Sequence, residues 1–468
     1  MSKAATLFFS ADADAATLHK RITPSDEQFD EQMGRWNALA DWLIETLGEE
    51  SGLSVDTKLQ GSYLYGTQVN PRRGEEFDID VGFIFKWNGA NDKGEYGPWD
   101  LKHMVQDALQ VYAGENTDEV HEVAEPKKRC CRIHYKNSFH IDVPVYHLHS
   151  TTGVLSLATQ DDEWEESDPK ALYLWYKNLV DDDYTRNKLR RQIRYIKAWA
   201  GLKFEEHEGR PTSVMLTVLM AEALDELSDE AAASDDDLFY QLVFAIKERL
   251  ELDFYVENPI NAGENLNRLS GQEMTKLLEQ LASLADTAAR AVEADSELEA
   301  ADIWQEAFEF LFPMPESLAV LSKAATNLPV HSVLPDIRVI AYPTNTGSSS
   351  GVIEGRNDIG PVPKEYTLEF EVLNYDQLPA GSECFWTARN SGEEAVAKID
   401  MGHNRGYGRK VIDFTAYNGI HHMDCVVRQW GKTIAQRRVP VRIAGPTFLP
   451  PRNPPRPSWV KLRQKGRR

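Results

Sequence analysis

Glu76-Phe77-Asp78-Ile79-Asp80-Val81-Gly82-Phe83 is the stretch whose reading decides the fold. Successive side chains of a strand point to opposite faces, so Asp78 and Asp80 project together and Phe77, Ile79, Val81 and Phe83 occupy the other face. Two carboxylates on a rigid strand suit hard divalent cations. A second alternating run, Phe139-His140-Ile141-Asp142-Val143-Pro144-Val145, supplies a third acidic group, Asp142. Upstream, Gln60-Gly61-Ser62-Tyr63-Leu64-Tyr65-Gly66-Thr67 reads as a small-residue turn that opens a helix. A phosphate cradle followed by a three-Asp metal site is the equipment of a nucleotidyltransferase.

The chemistry explains the residue types. Nucleotidyl transfer needs a 3′-hydroxyl made nucleophilic and a pyrophosphate made a better leaving group, and two metals about 4 Å apart serve both needs. Asp78 and Asp80 would flank both ions; Asp142 would complete the site next to the hydroxyl and accept its proton. Three carboxylates this close need cations to stay ionised. Gly61 lets the backbone approach a triphosphate, and Ser62 offers a hydroxyl and an amide at a helix start. Tyr65 is placed to stack a base, and Lys197 with Arg194 to neutralise phosphates from a later helix. His140 reads as structural, directed away from the face of Asp142, and His421-His422 as packing or hydrogen-bonding residues. A lone D-x-D or Gly-Ser is weak, and Lys197 alone reads equally well as part of an exposed basic helix face. The order is specific: Gly-Ser, D-x-D 17 residues after Gly61, then an apolar-flanked Asp on a later strand.

The chain has 468 residues, enough for two to four domains, and 42% are hydrophobic, enough for substantial cores. Its net charge of −23 is uneven: residues 425–468 hold 12 Lys/Arg and no acid, leaving 39 basic against 74 acidic side chains before them. An acidic body argues against an obligatory nucleic-acid duplex as ligand. Four cysteines without C-x-x-C spacing argue against a disulfide scaffold or structural zinc. Neither a signal peptide nor a membrane span is expected, which points to a soluble, cytoplasmic protein with no membrane partner.

Residues 26–48 carry an apolar face at helical spacing through Phe29, Met33, Trp36, Ala40, Leu43 and Leu47. Strand-like runs follow at 77–86, 130–135 and 139–146, with a helix over Trp99 to Tyr112. Residues 165–325 read as helical. There Arg190, Arg194 and Lys197 form a basic stripe, Ser213 to Leu224 a buried helix, and Ser228–Asp237 and Glu293–Asp302 solvated acidic stretches. After Asn327-Leu328-Pro329 the pattern turns to short strands at 337–342, 366–372, 383–388, 410–416, 422–429 and 434–443, a β-sandwich pattern. A Gly/Ser-rich loop (346–351) lies between the first two, and a Pro-rich basic tail starts at Pro450.

The motifs Leu59-Gln60-Gly61-Ser62-Tyr63-Leu64-Tyr65, Glu76-Phe77-Asp78-Ile79-Asp80, His140-Ile141-Asp142-Val143-Pro144-Val145-Tyr146, Glu166-Ser167-Asp168-Pro169-Lys170, Ile196-Lys197-Ala198-Trp199 and Pro211-Thr212-Ser213 resemble the CD-NTase family. The likeness runs over roughly residues 20–270 and is strongest to the bacterial cyclic GMP–AMP synthase branch of CBASS anti-phage systems. It implies an α+β fold: a polymerase-β-like palm in 1–155 and a helical, oligoadenylate-synthase-like domain in 156–326. A β-sandwich-like domain would follow in 327–449 and a tail in 450–468. It implies Mg2+, two ions with Mn2+ as an alternative, on Asp78, Asp80 and Asp142. It also implies donor-nucleotide contacts from Gln60, Gly61, Ser62 and Tyr65, and phosphate or base contacts from Arg132, Lys197 and Ser213. A base-reading residue is expected near Val256-Glu257-Asn258-Pro259, where this chain departs from the family pattern.

Trp386, Asn390, Gly392, Thr415, Tyr417, Gly419 and His421 carry a resemblance to the sensor domains fused to such synthases, which implies a regulatory ligand there. The implied activity is synthesis of a cyclic di- or trinucleotide from ATP and GTP, read by a separate effector. A conjugation or docking partner at the basic tail is a further implication. Two alternatives stay open: a template-free transferase making linear oligonucleotides or modifying RNA or protein, and a catalytically silent nucleotide-binding regulator.

Overall fold

The computed structural model describes the chain except residues 1, 13, 73, 92–93, 137–138, 181, 205–208, 228–233, 316–333, 345–350 and 445–468. The expected Gly/Ser loop (bar Gly351), the Pro-rich tail and the composition change at 327–329 lie outside the described residues. The chain divides into two compact units, one within 1–321 plus 397–401, the other within 322–396 and 402–468. Among the described residues no helix is long and apolar enough to cross a membrane.

The first unit opens with two short helices, α1 (Ala5–Phe8) and α2 (Leu18–Ile22), then the long α3 (Asp26–Ser51). A capping box starts α3: Gln28 N donates to Ser25 Oγ at 3.2 Å and Ser25 N to Gln28 Oε1 at 2.9 Å. Gly52, at φ +69°, ends it. Its apolar face is buried over Leu39, Ala40, Leu43 and Leu47, whereas Phe29 and Met33 stay exposed, Phe29 stacking on Tyr63.

An eight-stranded mixed sheet follows. Its axis is β2 (Phe77–Trp87), flanked antiparallel by β1 (Ser54–Gln60), which leads into the one-turn α4 (Gly61–Tyr65). Helix α5 (Pro98–Glu115) packs its Leu101, Val105 and Leu109 into the same core as Phe77, Ile79, Val81 and Phe83. Strands β3 (Val120–Ala124) and β4 (Cys131–Tyr135) lead to β5 (Phe139–Val143) and β6 (Val145–His149). The expected single strand over 139–146 is thus two, divided at Pro144, which has no amide hydrogen to donate. Both halves run parallel to β2 in one unbroken register, Asp80 facing Asp142 and Phe83 facing Val145. Beyond them, β5 continues to β4, and β6 to β7 (Leu155–Ala158) and β8 (Trp164–Glu166).

The helical part comprises α6 (Pro169–Asn178), α7 (Asp183–Lys203), α8 (Ser213–Glu226), α9 (Asp235–Leu252), α10 (Gly271–Val292) and α11 (Glu297–Phe308). A two-strand ribbon, β9 (Glu257–Asn258) with β10 (Asn261–Asn265), interrupts it where helix was expected. The acidic stretches also differ from expectation. Asp235 and Asp236 are buried at the start of α9, where Arg191 forks onto Asp235 at 2.6 and 2.8 Å and Tyr195 Oη donates to it at 2.9 Å. Asp302 is likewise buried within α11. Charge composition alone does not register such pairing.

The second unit is a sandwich of two sheets, ordered β12-β11-β14-β17 and β13-β19-β18-β15-β16. The strands are β11 (Ile337–Pro343), β12 (Ile353–Arg356), β13 (Ile359–Val362), β14 (Tyr366–Val372), β15 (Ser382–Arg389), β16 (Gly402–Tyr407), β17 (Lys410–Phe414), β18 (Gly419–Gln429) and β19 (Lys432–Ile443). Val339, Phe370, Trp386, Cys425 and Val439 share its core. Asp424, wholly buried, is held well below the usual carboxylate range, at about 2; burial alone would raise it, and Arg438 and Arg389 more than offset that. His421 sits between Asn390 Oδ1 (3.2 Å) and the Tyr417 carbonyl (2.8 Å), and Thr415 Oγ1 donates to Pro363 O at 2.8 Å.

Candidate active site

Strand pairing sets the site out as two rows on one sheet face. Asp80 on β2, Asp142 on β5 and Arg132 on β4 are cross-strand partners; one step along, Asp78, His140 and His134 are the next. The parallel β2–β5 register is what brings together acids 62 positions apart in sequence. His140 is therefore on the face of Asp142, not the opposite one: the two are separated by two residues, and the strand period returns the side chain to the same side. Its Nε2 lies 3.0 Å from Asp78 Oδ1.

Ligand atoms of Asp78, His140 and Asp142 all lie within 4.8 Å of one another. Asp78 is half exposed, at 51% of its side chain, whereas Asp142 is buried. Burial, then the charges of Asp78 and Asp142, raise the Asp80 carboxyl well above its ordinary range, opposed by Arg132 and Lys197. A cluster that strains to hold its negative charge is one that a divalent cation relieves, so the donor set fits such an ion. Burial also acts to raise Asp142, but the Arg132 guanidinium, forked onto both of its oxygens, holds it below the usual value. Arg132, assigned to phosphates or base edges by resemblance, thus has its fork on a carboxylate of the acid triad.

Gly61 is shaped by Asp80. Its φ is +61°, and a Cβ there would lie 2.0 Å from Asp80 Oδ2. Gly82 admits Gln60 in the same way, since a Cβ would meet Gln60 Nε2 at 2.3 Å. Tyr146 Oη then donates to Gln60 Oε1 at 3.1 Å.

Beside Asp78 and Asp80 opens a cleft of about 500 Å³, in the range of small-molecule sites; Asp142 and Arg132 stand behind them and are not in its lining. Gln60, Gly61, Ser62, Tyr65, Asp78, Asp80, Lys197 and Ser213 all line it. Tyr65 already stacks with Tyr173 (5.6 Å) and Tyr176 (5.2 Å), and burial, followed by the Asp80 charge, raises its hydroxyl. Lys197 reaches Thr67 Oγ1 at 3.2 Å, and burial together with Arg194 lowers its ammonium to about 7 despite Asp80 and Asp78. Arg194 and Arg190 donate to the carbonyls of Gln68 and Tyr65 instead, tying α7 to the turn after β1.

Sequence reasoning missed Arg129, Glu264 and Arg268, which also line the cleft, and the Glu76–His134–His140 cluster. Period two from Asp78 back to Glu76 was the available signal for the last. Glu264 gathers Asn258 Nδ2 (2.8 Å), Asn261 Nδ2 (3.3 Å) and Arg268 (3.0 Å), so the loosely aligned 256–259 segment does border the cleft, through the β9–β10 ribbon.

Residues 55–146 match the family described as cyclic GMP-AMP synthase DncV-like, nucleotidyltransferase domain, and residues 321–444 the adenylyl/guanylyl and SMODS C-terminal sensor domain. A cyclic GMP-AMP synthase of Escherichia albertii is 26% identical over 445 residues, covering 93% of this chain and 95% of the relative. A c-di-GMP synthase of Roseivirga ehrenbergii is 26% identical over 263 residues, 49% of this chain and 65% of the relative. Among solved structures, a mutant of the Vibrio cholerae di-nucleotide cyclase DncV in complex with ATP and GTP superposes with a TM-score of 0.57 at 19% identity. That superposition covers 66% of this chain and 97% of the cyclase and gives the fold, a polymerase-β-like nucleotidyltransferase. Residues 55–146 thus carry a nucleotidyltransferase domain similar to that of DncV, and residues 321–444 a domain similar to the adenylyl/guanylyl and SMODS C-terminal sensor.

Proposed function

We propose that the protein joins two nucleoside triphosphates, ATP and GTP first among them, into a cyclic dinucleotide. The observation that carries this reading is the in-register pairing of Asp80 with Asp142, where Asp80, Asp78 and Gly61 line one cleft. The name of a relative that aligns with nearly the whole chain supports it. In each of two steps a 3′-hydroxyl attacks an α-phosphorus, an oxygen–phosphorus bond forms, the α–β bond breaks and pyrophosphate leaves; the second step closes the ring. Asp78, Asp80 and Asp142 would hold two divalent cations, which activate the hydroxyl and neutralise the leaving phosphates when bound. Gln60, Gly61 and Ser62 would cradle the triphosphate, Lys197 would meet its charge, and Ser213 would contact phosphates or a base edge. The product would be a second messenger for a separate effector in anti-phage defence, and the sensor domain would bind a regulatory ligand.

The test is incubation with ATP, GTP or both and Mg2+, then phosphatase, nuclease P1 and mass spectrometry. A phosphatase-resistant, P1-sensitive dinucleotide of cyclic mass is expected. Only linear products, or label in RNA or protein, would replace the reading with a template-free transferase; no pyrophosphate release with any mixture would leave a silent regulator.

Lys197 gives a pH-dependent expectation. With its ammonium lowered to about 7, it is mostly neutral in the free cleft at pH 8. A bound triphosphate favours the charged form, so binding should take up a proton. Titration calorimetry at pH 8 in buffers of different ionisation enthalpy should show that uptake in the wild type and none in Lys197→Met, with about tenfold weaker nucleotide binding. Equal uptake in both proteins would remove Lys197 from the phosphate site.

A further inference from the structure

The half of the acid site farthest from Arg132 has a backing of its own. Glu76 stands two residues before Asp78 and lies on the same strand face. One of its oxygens, Oε2, is 2.7 Å from His134 Nδ1 and 2.9 Å from His140 Nδ1. The other nitrogen of His140, Nε2, is 3.0 Å from Asp78 Oδ1, a close contact without hydrogen-bond alignment. The ring is thus set between two carboxylates, with its side chain 9% exposed against 51% for Asp78. The two hydrogen bonds to Glu76 draw that carboxyl below its usual range, against the upward push of burial.

This arrangement has a consequence for Asp78. A half-exposed aspartate left to itself samples several rotamers, only some of which aim at the partner acids. A buried ring gripped from behind removes that freedom. Groups that orient a metal ligand without touching the metal change affinity by about 10–100-fold when removed. We propose that His140 is a positioning residue that holds Asp78 in its cation-binding orientation, with Glu76 clamping the ring and His134 steadying Glu76. The inference rests on the reading of Asp78 as a metal ligand. It assigns the row a role in cation affinity and none in nucleotide affinity.

Two variants test it in the full chain. Glu76→Gln keeps the size of the clamp and takes its charge; His140→Gln removes the ring. Mn2+ binding, read from the free-ion electron paramagnetic resonance signal, should weaken about 10–100-fold in both. The half-saturating Mg2+ for pyrophosphate release should rise in parallel, while the KM for nucleotide at saturating Mg2+ stays within about twofold. Both variants weaken binding whether His140 positions Asp78 or ligates the ion itself, so the decisive readout is the bound Mn2+ of the wild type. Electron spin-echo modulation should show no imidazole nitrogen coupled to it; a nitrogen coupling that disappears in His140→Gln would make His140 a direct ligand and overturn the positioning role. Wild-type Mn2+ affinity in both variants would overturn it too, leaving the three-Asp site intact. A wild-type chain that bound no Mn2+ would sink the metal site and this inference together.

Discussion

Asp80→Asn should cost turnover about 10³-fold or more and, in the same protein, raise the melting temperature measured in EDTA. Both effects come from one arrangement. Asp80 is half-buried beside Asp78 and Asp142, and its carboxyl is raised well above the ordinary range by desolvation and by those two charges. A carboxyl raised in the fold contributes its stability at low pH, where it is protonated, and loses it as pH rises through the raised value. At neutral pH without metal, Asp80 therefore works against folding. Asparagine keeps the shape and removes the charge. The expected gain is about 2–4 °C, the response of a large domain to about 1 kcal/mol. Added Mg2+ should stabilise the wild type and leave the variant nearly unmoved. A variant that melted lower than wild type in EDTA at pH 8 would show that Asp80 is not strained by its neighbours.

Gly61→Ala should be nearly as damaging to catalysis, about 10²–10³-fold, without touching a functional group. An alanine Cβ at 61 would lie 2.0 Å from Asp80 Oδ2, and the backbone there has φ +61°. The carboxylate has to turn away or the turn has to move, and either breaks the alignment of phosphate cradle and metal site. Backbone strain alone accounts for about 1–2 kcal/mol of stability. Gly52→Ala separates the two effects: its φ is +69° and nothing lies within 4 Å of the added Cβ. That control should lose comparable stability and keep its turnover. Equal losses of turnover in both variants would mean that strain, not the collision with Asp80, is responsible.

Much of this was legible before any coordinates because it depends on local periodicity. Period two placed Asp78 and Asp80 together on β2, and helical spacing located α7 and α8 within a few residues. The order of the motifs proposed Asp142 as a partner, but only strand pairing could set it opposite Asp80. What remained hidden needs three-dimensional partners. Arg132 reads as a free cation in a row of letters, and strand pairing gives its fork a partner, Asp142. His140 reads as facing away from Asp142, whereas two residues of separation on β5 set both on one face. Asp235 looked like solvated charge until Arg191, 44 positions away, was found to neutralise it. Tyr65 offered a ring for stacking, yet Tyr173 and Tyr176 already stack on it. Strands β12, β13 and β16 escaped notice because each is only four to six residues long and rich in glycine or charge.

Pro144 carries a consequence for how such a chain can change over generations. Because β5 and β6 keep one register along β2, the contacts of Val145 to His149 help to index Asp142 against Asp80. Altered spelling in this run is survivable wherever size and polarity are respected. A single deletion between Ile141 and Val145 is a frame error, since it sets the two halves out of step and lets the stronger half decide which face the acid takes. Genes for this fold should therefore lengthen or shorten freely between Trp87 and Pro98 and hardly at all across the proline.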